Sequence, residues 1–527
     1  MKKHFIFQAL LLILSIAACT DEKSDEWVLP GGGNVPKKEI EEQPEYNASG
    51  IVTDSATKKG IPGVVVSDGI NCVETDEDGV YYLPAETGKC RSIFVITPSG
   101  YEPAMKDCNF AGYVLRDLKS DKSERYDFEL KKRRAPADKF KMLFIADIQI
   151  NRNGKFYEVG KTFFQGVKDL YSNEALPTYT ISLGDCVYST SGRDAVTESM
   201  QEYRSYVALS GIPTFNVIGN HDHFPQAKAP FYEASSGYVS QMGPNNYAVN
   251  IGGVHFIMLD SMDWSNDPAA DKAMTSGFNE EVLSFLENDL KFVSKDTPVM
   301  ICLHTNVVRY HNNYGTETLN QDRFFNLLKG YSVNVWYGHE HHNYNYSYTA
   351  SELSKYGIKS LDAHCVVRSC GSLFMNGRVF SEDGIPWGVV EMTVDGKDVK
   401  WRYRSIDYVC PGTSFKADFP DDVLAFGPDI SGDSYVYCNP YMHDNLWSTP
   451  EWWENGVKKC NMTDMSGTKA ADPYVLWSYK NVLKLDYDDD PQYRFHLFRA
   501  KPTAGVKSGE VHVKDRFGVE YVREVSF

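Results

Sequence analysis

Five short blocks of Asp, Asn, Gln and His residues are the part of this sequence that could do chemistry. Each block follows an apolar run that predicts a buried strand. Buried strands have no use for consecutive polar side chains, but loops at strand ends do, because a rigid sheet can aim them at one point. The blocks are, in chain order, Asp147-Ile148-Gln149, Gly184-Asp185, Gly219-Asn220-His221-Asp222, His304 and Gly338-His339-Glu340-His341.

The residue types in these blocks are those of a metal site. Carboxylate, amide and imidazole groups are ligands for hard to borderline cations such as Mn, Fe, Zn or Mg. Any single block could instead be a capping Asp or a surface His. Five strand ends of this kind within about two hundred residues indicate ligands that converge on one centre.

The elements that must position these blocks alternate between strands and helices. The apolar runs predict strands over 141–146, 179–183, 213–218, 298–303 and 333–337. Helical spacing of apolar residues predicts helices over 156–170, 195–209, 280–293 and 319–328. This alternation is typical of an α/β domain with a mixed or parallel sheet, which binds ligands at the carboxyl ends of its strands.

The order of the five blocks resembles that of the calcineurin-like metallophosphoesterase family. The resemblance covers roughly residues 138–395. It implies a central α/β catalytic domain of two sheets flanked by helices, with two divalent metal ions at the strand ends. It also implies that Asp185 bridges the two metals and that Asp147 and His341 join it at the first. The second metal would be bound by Asp185, Asn220, His304 and His339.

One position departs from the family pattern. The family usually has His as the third residue of the first block, where this chain has Gln149. Gln149 follows Asp147 by two residues, so in an extended segment both side chains point to the same side. Gln149 either binds the first metal through its amide oxygen or only hydrogen-bonds a metal-bound water. In both cases we predict that the first metal is the more weakly held.

The resemblance further implies a phosphoester hydrolase. The two metals would hold a shared hydroxide that attacks phosphorus, and they would neutralise the non-bridging oxygens. His221 would assist the leaving oxygen with a proton or hydrogen bond, and Asp222 would orient His221 or its loop. His342, next to the ligand pair, faces either solvent or substrate. Monoester and diester substrates are both compatible with this mechanism.

A protein of a different class is the alternative. Gln149 weakens the metal pattern, and further domains flank it. The chain could therefore be a surface binding or scaffold lipoprotein with a degenerate metal site. The retained His221 favours the hydrolase, because a binding protein has no use for a leaving-group donor.

The start of the chain predicts export. Residues 1–19 combine two Lys, a short apolar run and Ile16-Ala17-Ala18-Cys19, which resembles a bacterial lipoprotein signal peptide with Cys19 as the lipidated residue. The mature protein is then expected to be anchored to a membrane by its lipid alone. Residues 20–47, rich in acidic residues and Gly, predict a flexible linker. Its acidic run is either a solvated tether or a signal for display at the cell surface.

Two β-rich domains are predicted on either side of the catalytic domain. Residues 48–131 show short β-type runs between turns, and resemble the carboxypeptidase-regulatory, prealbumin-like modules that precede some secreted catalytic domains. The acidic turn at 76–78 is either a solvated hairpin turn or a calcium site. Residues 396–527 resemble the C-terminal domain of some bacterial members of the family. Within them, 452–456 predicts a turn, and Trp447, Trp452 and Trp453 either pack in the core or stack on a sugar.

Composition limits the partners of the protein. The 527 residues carry a formal net charge of −17 with a pI near 5.3, which speaks against general nucleic-acid binding because the phosphate backbone would be repelled. Phosphoester substrates remain compatible with this charge, since bound cations set the local field. Besides Cys19 the chain has ten Cys, which allows disulfides in an exported protein. The sequence leaves the oligomeric state open.

Overall fold

The fold of the chain is given by a computed structural model. It describes residues 39–41 and 43–527 except for 87, 90–91, 117–122, 151–156, 189–192, 225–230, 265–273, 307–317, 371–379, 382, 407, 410–415, 418, 485 and 487–493. The predicted signal peptide with Cys19 and most of the predicted linker lie outside the described residues. Residues 43–527 form one compact unit.

The N-terminal part of the described chain is built from short strands separated by turns. They are β1 (Ala48–Asp54), β2 (Val65–Ser67), β3 (Cys72–Glu74), β4 (Val80–Leu83), β5 (Ser92–Ile96), β6 (Tyr101–Glu102), β7 (Met105–Lys106), β8 (Asn109–Phe110), β9 (Tyr113–Leu115), β10 (Glu124–Arg125) and β11 (Phe128–Lys132). One sheet has the order β10-β1-β11-β6 with β4 beside β1, and another has the order β3-β2-β5-β9. Both sheets contribute to one buried apolar cluster, which includes Val52 and Val66. In the acidic turn, Asp76 accepts hydrogen bonds from the N–H groups of Asp78 and Val80, which closes the turn.

The central part alternates strands with helices, as its hydrophobic periodicity predicts. Its elements are β12 (Lys139–Ile145), α1 (Tyr157–Tyr171), β13 (Thr178–Ser182), α2 (Arg193–Ser210), β14 (Thr214–Asn216), α3 (Phe231–Ala234), α4 (Ser236–Met242), β15 (Tyr247–Ile251), β16 (Val254–Met258), β17 (Met262–Trp264), β18 (Met274–Ser276), α5 (Glu280–Leu290), β19 (Val299–Cys302), α6 (Gln321–Leu327), β20 (Ser332–Tyr337), β21 (Tyr344–Ser347), α7 (Ala350–Leu353), β22 (Ser360–Cys365), β23 (Gly388–Asp395) and β24 (Asp398–Ser405). Helix α5 shows how the sequence encodes such an element. Asn279 caps it by accepting a hydrogen bond from the Val282 N–H, two Glu follow in the first turn, and one apolar face is buried.

Two mixed sheets organise this part. The first has the order β24-β23-β12-β13-β14-β8-β7, and the second has the order β15-β16-β19-β20-β22-β21. Strands β12, β13 and β14 are parallel neighbours, and so are β16, β19, β20 and β22. Parallel neighbours end at the same edge of a sheet, so the loops after β12, β13 and β14 lie together, as do those after β19 and β20.

The two sheets pack face to face through aromatic side chains. Phe144 of β12 stacks on Trp336 of β20 with ring centroids 4.1 Å apart, and both residues are fully buried. Phe140 of β12 meets Phe256 of β16 edge to face at 6.2 Å. Each such pair contributes about 1 kcal/mol beyond the burial of its area. This shared core fixes the ends of β12–β14 relative to those of β19 and β20.

The C-terminal part is rich in strands. Its elements are β25 (Tyr408–Val409), β26 (Lys416–Ala417), β27 (Val423–Phe426), α8 (Pro428–Ser431), β28 (Val436–Pro440), β29 (Glu451–Glu454), β30 (Val457–Asn461), β31 (Thr463–Asp464), α9 (Pro473–Ser478) with a π-helical turn (Tyr479–Leu483), β32 (Phe498–Ala500), β33 (Ser508–Lys514) and β34 (Glu520–Ser526). Two four-stranded sheets, β27-β28-β32-β31 and β30-β29-β33-β34, share a buried cluster that includes Trp452.

The predicted fold class is confirmed, because a central pair of mixed sheets with helices stands between β-rich N- and C-terminal parts. Three strands outside residues 138–395 join the central sheets: β8 pairs with β14, β7 pairs with β8, and β24 pairs with β23 along its whole length. The predicted turn at 452–456 is wrong in its first half, since strand β29 continues through Glu454. Trp452 lies in that strand and is fully buried, as core packing requires.

Two kinds of feature, disulfides and membrane-spanning helices, are absent from the described residues. None of the eight cysteines that the structure describes is in a disulfide. Within the described parts of the chain, no helix is both long and apolar enough to cross a membrane.

Candidate active site

The five predicted blocks meet at one edge of the two central sheets. The side chains that the sequence predicts as metal ligands all come directly after a strand: Asp147 and Gln149 after β12, Asp185 after β13, Asn220 after β14, His304 after β19, and His339 and His341 after β20. All seven side chains are joined by contacts shorter than 3.5 Å. The structure therefore brings the whole predicted set together.

The backbone of these loops is unusual. Asp147, Gln149, Asp185, His339 and His341 all have left-handed backbone conformations, with φ between 49° and 70°. Each such residue costs on the order of 1 kcal/mol, and persists only where the surrounding structure holds it. Five of the seven predicted ligands are therefore held in strained conformations, a concentration that is typical of functional sites.

Two glycines allow the loops to approach the carboxylates. A Cβ on Gly219 would lie 2.3 Å from Asp185 Oδ1, and a Cβ on Gly338 would lie 2.5 Å from Asp147 Oδ2. Both distances are too short for any side chain. Because no side chain fills this space, two backbone groups reach the carboxylates. The N–H of His221 donates to Asp185 Oδ1 at 2.9 Å, and the N–H of His339 donates to Asp147 Oδ2, also at 2.9 Å.

One group of ligands surrounds Asp185. His304 Nε2 lies 3.2 Å from Asp185 Oδ1 and 2.9 Å from Asn220 Oδ1. His339 Nδ1 lies 2.9 Å from the same Asn220 oxygen. The ligand atoms of Asp185, His304 and His339 all lie within 4.8 Å of one another, which is a spacing that one cation can bridge. These four residues are the set that the sequence assigns to the second metal.

A second group lies on the other side of Asp185. His341 Nε2 is 3.4 Å from Asp147 Oδ1. That carboxylate oxygen is buried and accepts no hydrogen bond from any residue the structure describes. A buried carboxylate oxygen without a donor is costly unless a cation lies against it. Asp147 thus presents an oxygen that suits a divalent cation, and His341 Nε2 lies beside it.

Gln149 also lies in this second group, and its amide nitrogen, not its amide oxygen, faces the other members of the group. The nitrogen is 3.2 Å from Asp185 Oδ2 and 3.4 Å from His341 Nε2. The amide oxygen instead accepts a hydrogen bond from the Cys370 thiol at 3.7 Å. In this orientation Gln149 offers a donor rather than a metal ligand. Its ligation of the first metal stays a prediction.

The charges at the site favour cations. Burial acts to raise the pKa of Asp185, but His304 together with the charges of His221 and His339 holds it well below its usual range. Burial acts to lower the pKa of His304, but Asp185 together with Asp147 and the Leu183 carbonyl raises it to about 10. Burial, followed by the charge of His304, lowers the pKa of His339 to about 4. At neutral pH His304 therefore carries a proton beside Asp185 while His339 is neutral, and a cation bound by His304 would take the place of that proton.

The orientation of His304 also fits a metal ligand. Its Nδ1 lies 2.8 Å from the carbonyl oxygen of Leu183. In the neutral ring the proton is therefore on Nδ1, which leaves the lone pair of Nε2 for a metal. His341 is held from its outer side in the opposite sense, because Arg368 Nη1, which can only donate, lies 3.1 Å from its Nδ1. In the neutral ring of His341 the proton is therefore on Nε2, which faces Asp147.

His221 and Asp222 lie beside the ligands in different environments. The His221 side chain is 23% exposed, and its Nε2 is 3.9 Å from Asp185 Oδ2. Asp222 is buried and accepts hydrogen bonds from the N–H groups of Gly219 and Val187. Burial, followed by the charge of Asp185, raises the pKa of Asp222 to about 7. Asp222 thus ties two ligand loops together, whereas His221 is open to solvent.

Three residues of the site were not singled out by the sequence. Tyr188 places its ring 4.7 Å from that of His221, Arg368 contacts His341, and Cys370 contacts Gln149. Tyr188 follows Asp185 by three residues, and this nearness is the signal that could have found it. Arg368 and Cys370 follow β22, and no spacing in the sequence connects them to the ligands. His342 is buried, and its ring stacks on Phe495 at 4.6 Å, which favours neither of its predicted roles.

Three models of one protein family match consecutive parts of the chain. Residues 140–343 match the family model for calcineurin-like phosphoesterase, 47–133 match that for its N terminal, and 364–521 match that for its C terminal. Curated proteins gave no match.

Several solved structures resemble the chain. A dimetal phosphatase from Danio rerio is 13% identical with a TM-score of 0.37, over 50% of this chain and 96% of that one. PhoD is 14% identical with a TM-score of 0.37, over 82% and 93%. A purple acid phosphatase from yellow lupin is 13% identical with a TM-score of 0.36, over 53% of each chain. With the three consecutive family matches covering most of its length, the chain belongs to the calcineurin-like phosphoesterase family.

Proposed function

We propose that this protein hydrolyses phosphoesters with two divalent cations. The observation that carries the proposal is the convergence of seven donor side chains from five strand ends, among them a buried oxygen of Asp147 with no hydrogen-bond donor among the described residues. Membership of the phosphoesterase family supports it. Asp147, Asp185 and His341 would hold one cation, with Gln149 beside it. Asp185, Asn220, His304 and His339 would hold the other.

The bound cations would supply an activated water and neutralise charge on the phosphoryl oxygens. The residues of the chain position and support this chemistry. Asp185 directs one carboxylate oxygen to each side of the site, towards His304 and towards Gln149. The Gln149 amide nitrogen faces the same space and can donate a hydrogen bond to a phosphoryl oxygen.

His221 is the proposed donor to the leaving group. Its ring lies at the border of the site, close to Asp185 yet accessible to solvent, where the leaving oxygen of a bound ester would emerge. A proton or hydrogen bond from Nε2 to that oxygen lowers the barrier most when the leaving group is a poor one. Asp222 would keep His221 in place through the backbone of its loop.

A surface binding protein with a degenerate metal site is the other candidate. The amide nitrogen that Gln149 presents to the site favours it, since a ligand is then missing at the first metal. The solvent-accessible His221 favours the hydrolase, because binding alone gives no role to a proton donor beside the cations.

The experiment that separates the two begins with metal analysis of the purified protein. Hydrolysis of a panel of phosphomonoesters and phosphodiesters is then measured with Mn, Fe, Zn or Mg. We expect Asp185→Ala to lose metal and activity together. Asp289→Ala is a matched control, because Asp289 is equally buried and pairs with His255 at 2.7 Å away from the proposed ligands. Metal-loaded wild type without activity on any ester would favour the binding protein.

A further inference from the structure

The segment that carries the last two proposed ligands is clamped by residues from far along the chain. Asn343, two residues after His341, is fully buried. Its N–H donates to Asp383 Oδ2 at 2.8 Å, its side-chain oxygen accepts from the Val367 N–H at 2.6 Å, and its side-chain nitrogen donates to the Tyr441 carbonyl at 3.2 Å. Asn343 is the last residue of the central family match, and its three partners all lie in the C-terminal match.

His496 completes this clamp. Its Nε2 lies 3.2 Å from Asp383 Oδ2, the same oxygen that accepts from Asn343. Its Nδ1 lies 2.6 Å from Asn439 Oδ1, and Asn439 in turn donates to the Asp383 carbonyl at 2.9 Å. Asp383, His496 and Asn439 are all buried. The carboxylate that holds Asn343 is therefore itself fixed by a side chain next to β32.

The neighbouring residues repeat the contact. His342 stacks on Phe495 with ring centroids 4.6 Å apart and an interplanar angle of 24°. His342 thus meets Phe495 directly, ring on ring, whereas the next residue, Asn343, is linked to His496 through the Asp383 carboxylate that both contact. The ligand segment is therefore held to the C-terminal part at two consecutive positions, by a ring contact at His342 and by a shared carboxylate at Asn343.

The backbone of the ligand segment needs such support. His339 and His341 have φ of 70° and 64°, and strained conformations persist only where neighbouring contacts hold them. His339 is held on its N-terminal side by its own N–H bond to Asp147 Oδ2. His341 lies closer to the clamp at Asn343. Removing a buried hydrogen-bond partner would leave a polar group unsatisfied. The strained segment would then move to a conformation in which that group is paired again.

We propose that Asp383 and His496 are positioning residues for His341, so that the C-terminal part completes the first cation site. The inference rests on the proposed function in that His341 binds a cation. It assigns to the C-terminal part a role in holding one metal, beyond packing against the central sheets.

The test is metal binding by His496→Leu, followed with Mn²⁺ by calorimetry and with Co²⁺ by its absorption spectrum, next to thermal unfolding. We expect roughly a ten- to hundredfold loss of affinity at one cation site with the other kept, the size typical of losing a residue that orients a ligand. His496→Gln, which keeps polar atoms, should recover most of that loss. Phe495→Leu leaves no buried polar group unpaired, so it should fold even where His496→Leu does not, and it should weaken the same site.

Arg516→Met is the matched control. Arg516 also joins the C-terminal part to a central strand, through Asp444 at 2.8 Å and Asp362 of β22 at 3.1 Å, but without contact to the ligand segment. It should lower thermal stability and leave both cation affinities unchanged. Equal loss of affinity in Arg516→Met and His496→Leu, or full affinity in His496→Leu and Phe495→Leu, would overturn the inference alone. A wild type that binds no divalent cation would overturn the proposed function and this inference with it.

Discussion

Substitution of His221 by Ala tests the proposed chemistry most directly, because the structure predicts what the change leaves intact. The backbone N–H of residue 221, which donates to Asp185 Oδ1, is kept in the variant. The side chain comes no nearer to Asp185 than 3.9 Å, so both cations should stay bound. The ring is partly exposed and packs on Tyr188, so its loss should cost about 1 kcal/mol of stability or less.

The rate should respond very differently. A positioned proton donor contributes roughly a hundred- to ten-thousandfold to a reaction that needs it. We expect a loss of that size for alkyl phosphoesters, whose leaving alkoxide needs a proton. For nitrophenyl esters, whose leaving group is stable as an anion, the loss should be small. The assay is kcat/KM for a series of esters of graded leaving-group pKa, with metal counted in each preparation.

His512→Ala is the matched control for this experiment. His512 is 19% exposed and its ring lies 4.7 Å from that of Trp453, which closely matches the exposure and ring contact of His221. It lies on β33 in the C-terminal part and should not change any rate. An equal loss across all leaving groups in His221→Ala would refute proton donation, and loss of metal in that variant would assign His221 to the cation site.

Three further predictions concern separate parts of the molecule. Gln149→His should bind the first cation more tightly and shift the preference of that site towards zinc. Stepwise chelation of wild type and variant, with metal counted per chain, measures this. Simultaneous loss of both metals from wild type and from the variant would contradict the prediction. Glu391→Gln should lower the free energy of unfolding by about 3 kcal/mol at neutral pH, because Glu391 is buried against Lys141. Burial opposes this ion pair, yet Lys141 lowers the pKa of Glu391, so its stabilisation is lost as pH falls through the lowered pKa. The difference between variant and wild type in urea unfolding should therefore shrink in acid, and a constant difference would refute the ion pair. Cys19→Ala should release the protein from the membrane fraction, and a variant that stays membrane-bound would refute the lipid anchor.

The ligand set could be predicted from the sequence because each block is local. A buried strand followed directly by a polar residue is visible within a few positions, and parallel strands place their ends together without further information. Helices α1, α2, α5 and α6 were likewise predicted from spacing alone. Strand β8 was not predicted, because a strand of two residues is too short to show a hydrophobic periodicity. Strand β24 lies beyond the predicted end of the central domain at residue 395, because an alternating pattern indicates that one face of a strand is buried and not which sheet the strand joins.

The orientation of Gln149 shows where local patterns stop being informative. Its position after Asp147 predicts that the side chain faces the site, and it does. The inward end of the amide contacts Asp185, and its other end meets Cys370, which approaches from the loop after β22. His341 also depends on residues from other segments, because its outer nitrogen contacts Arg368 and its own segment is clamped through Asn343. Ligand identity is thus a property of short blocks, whereas ligand orientation depends on contacts between distant segments, and such contacts leave no periodic trace in the sequence. A family match through short blocks is therefore good evidence that cations bind here. It says much less about how tightly each cation is held.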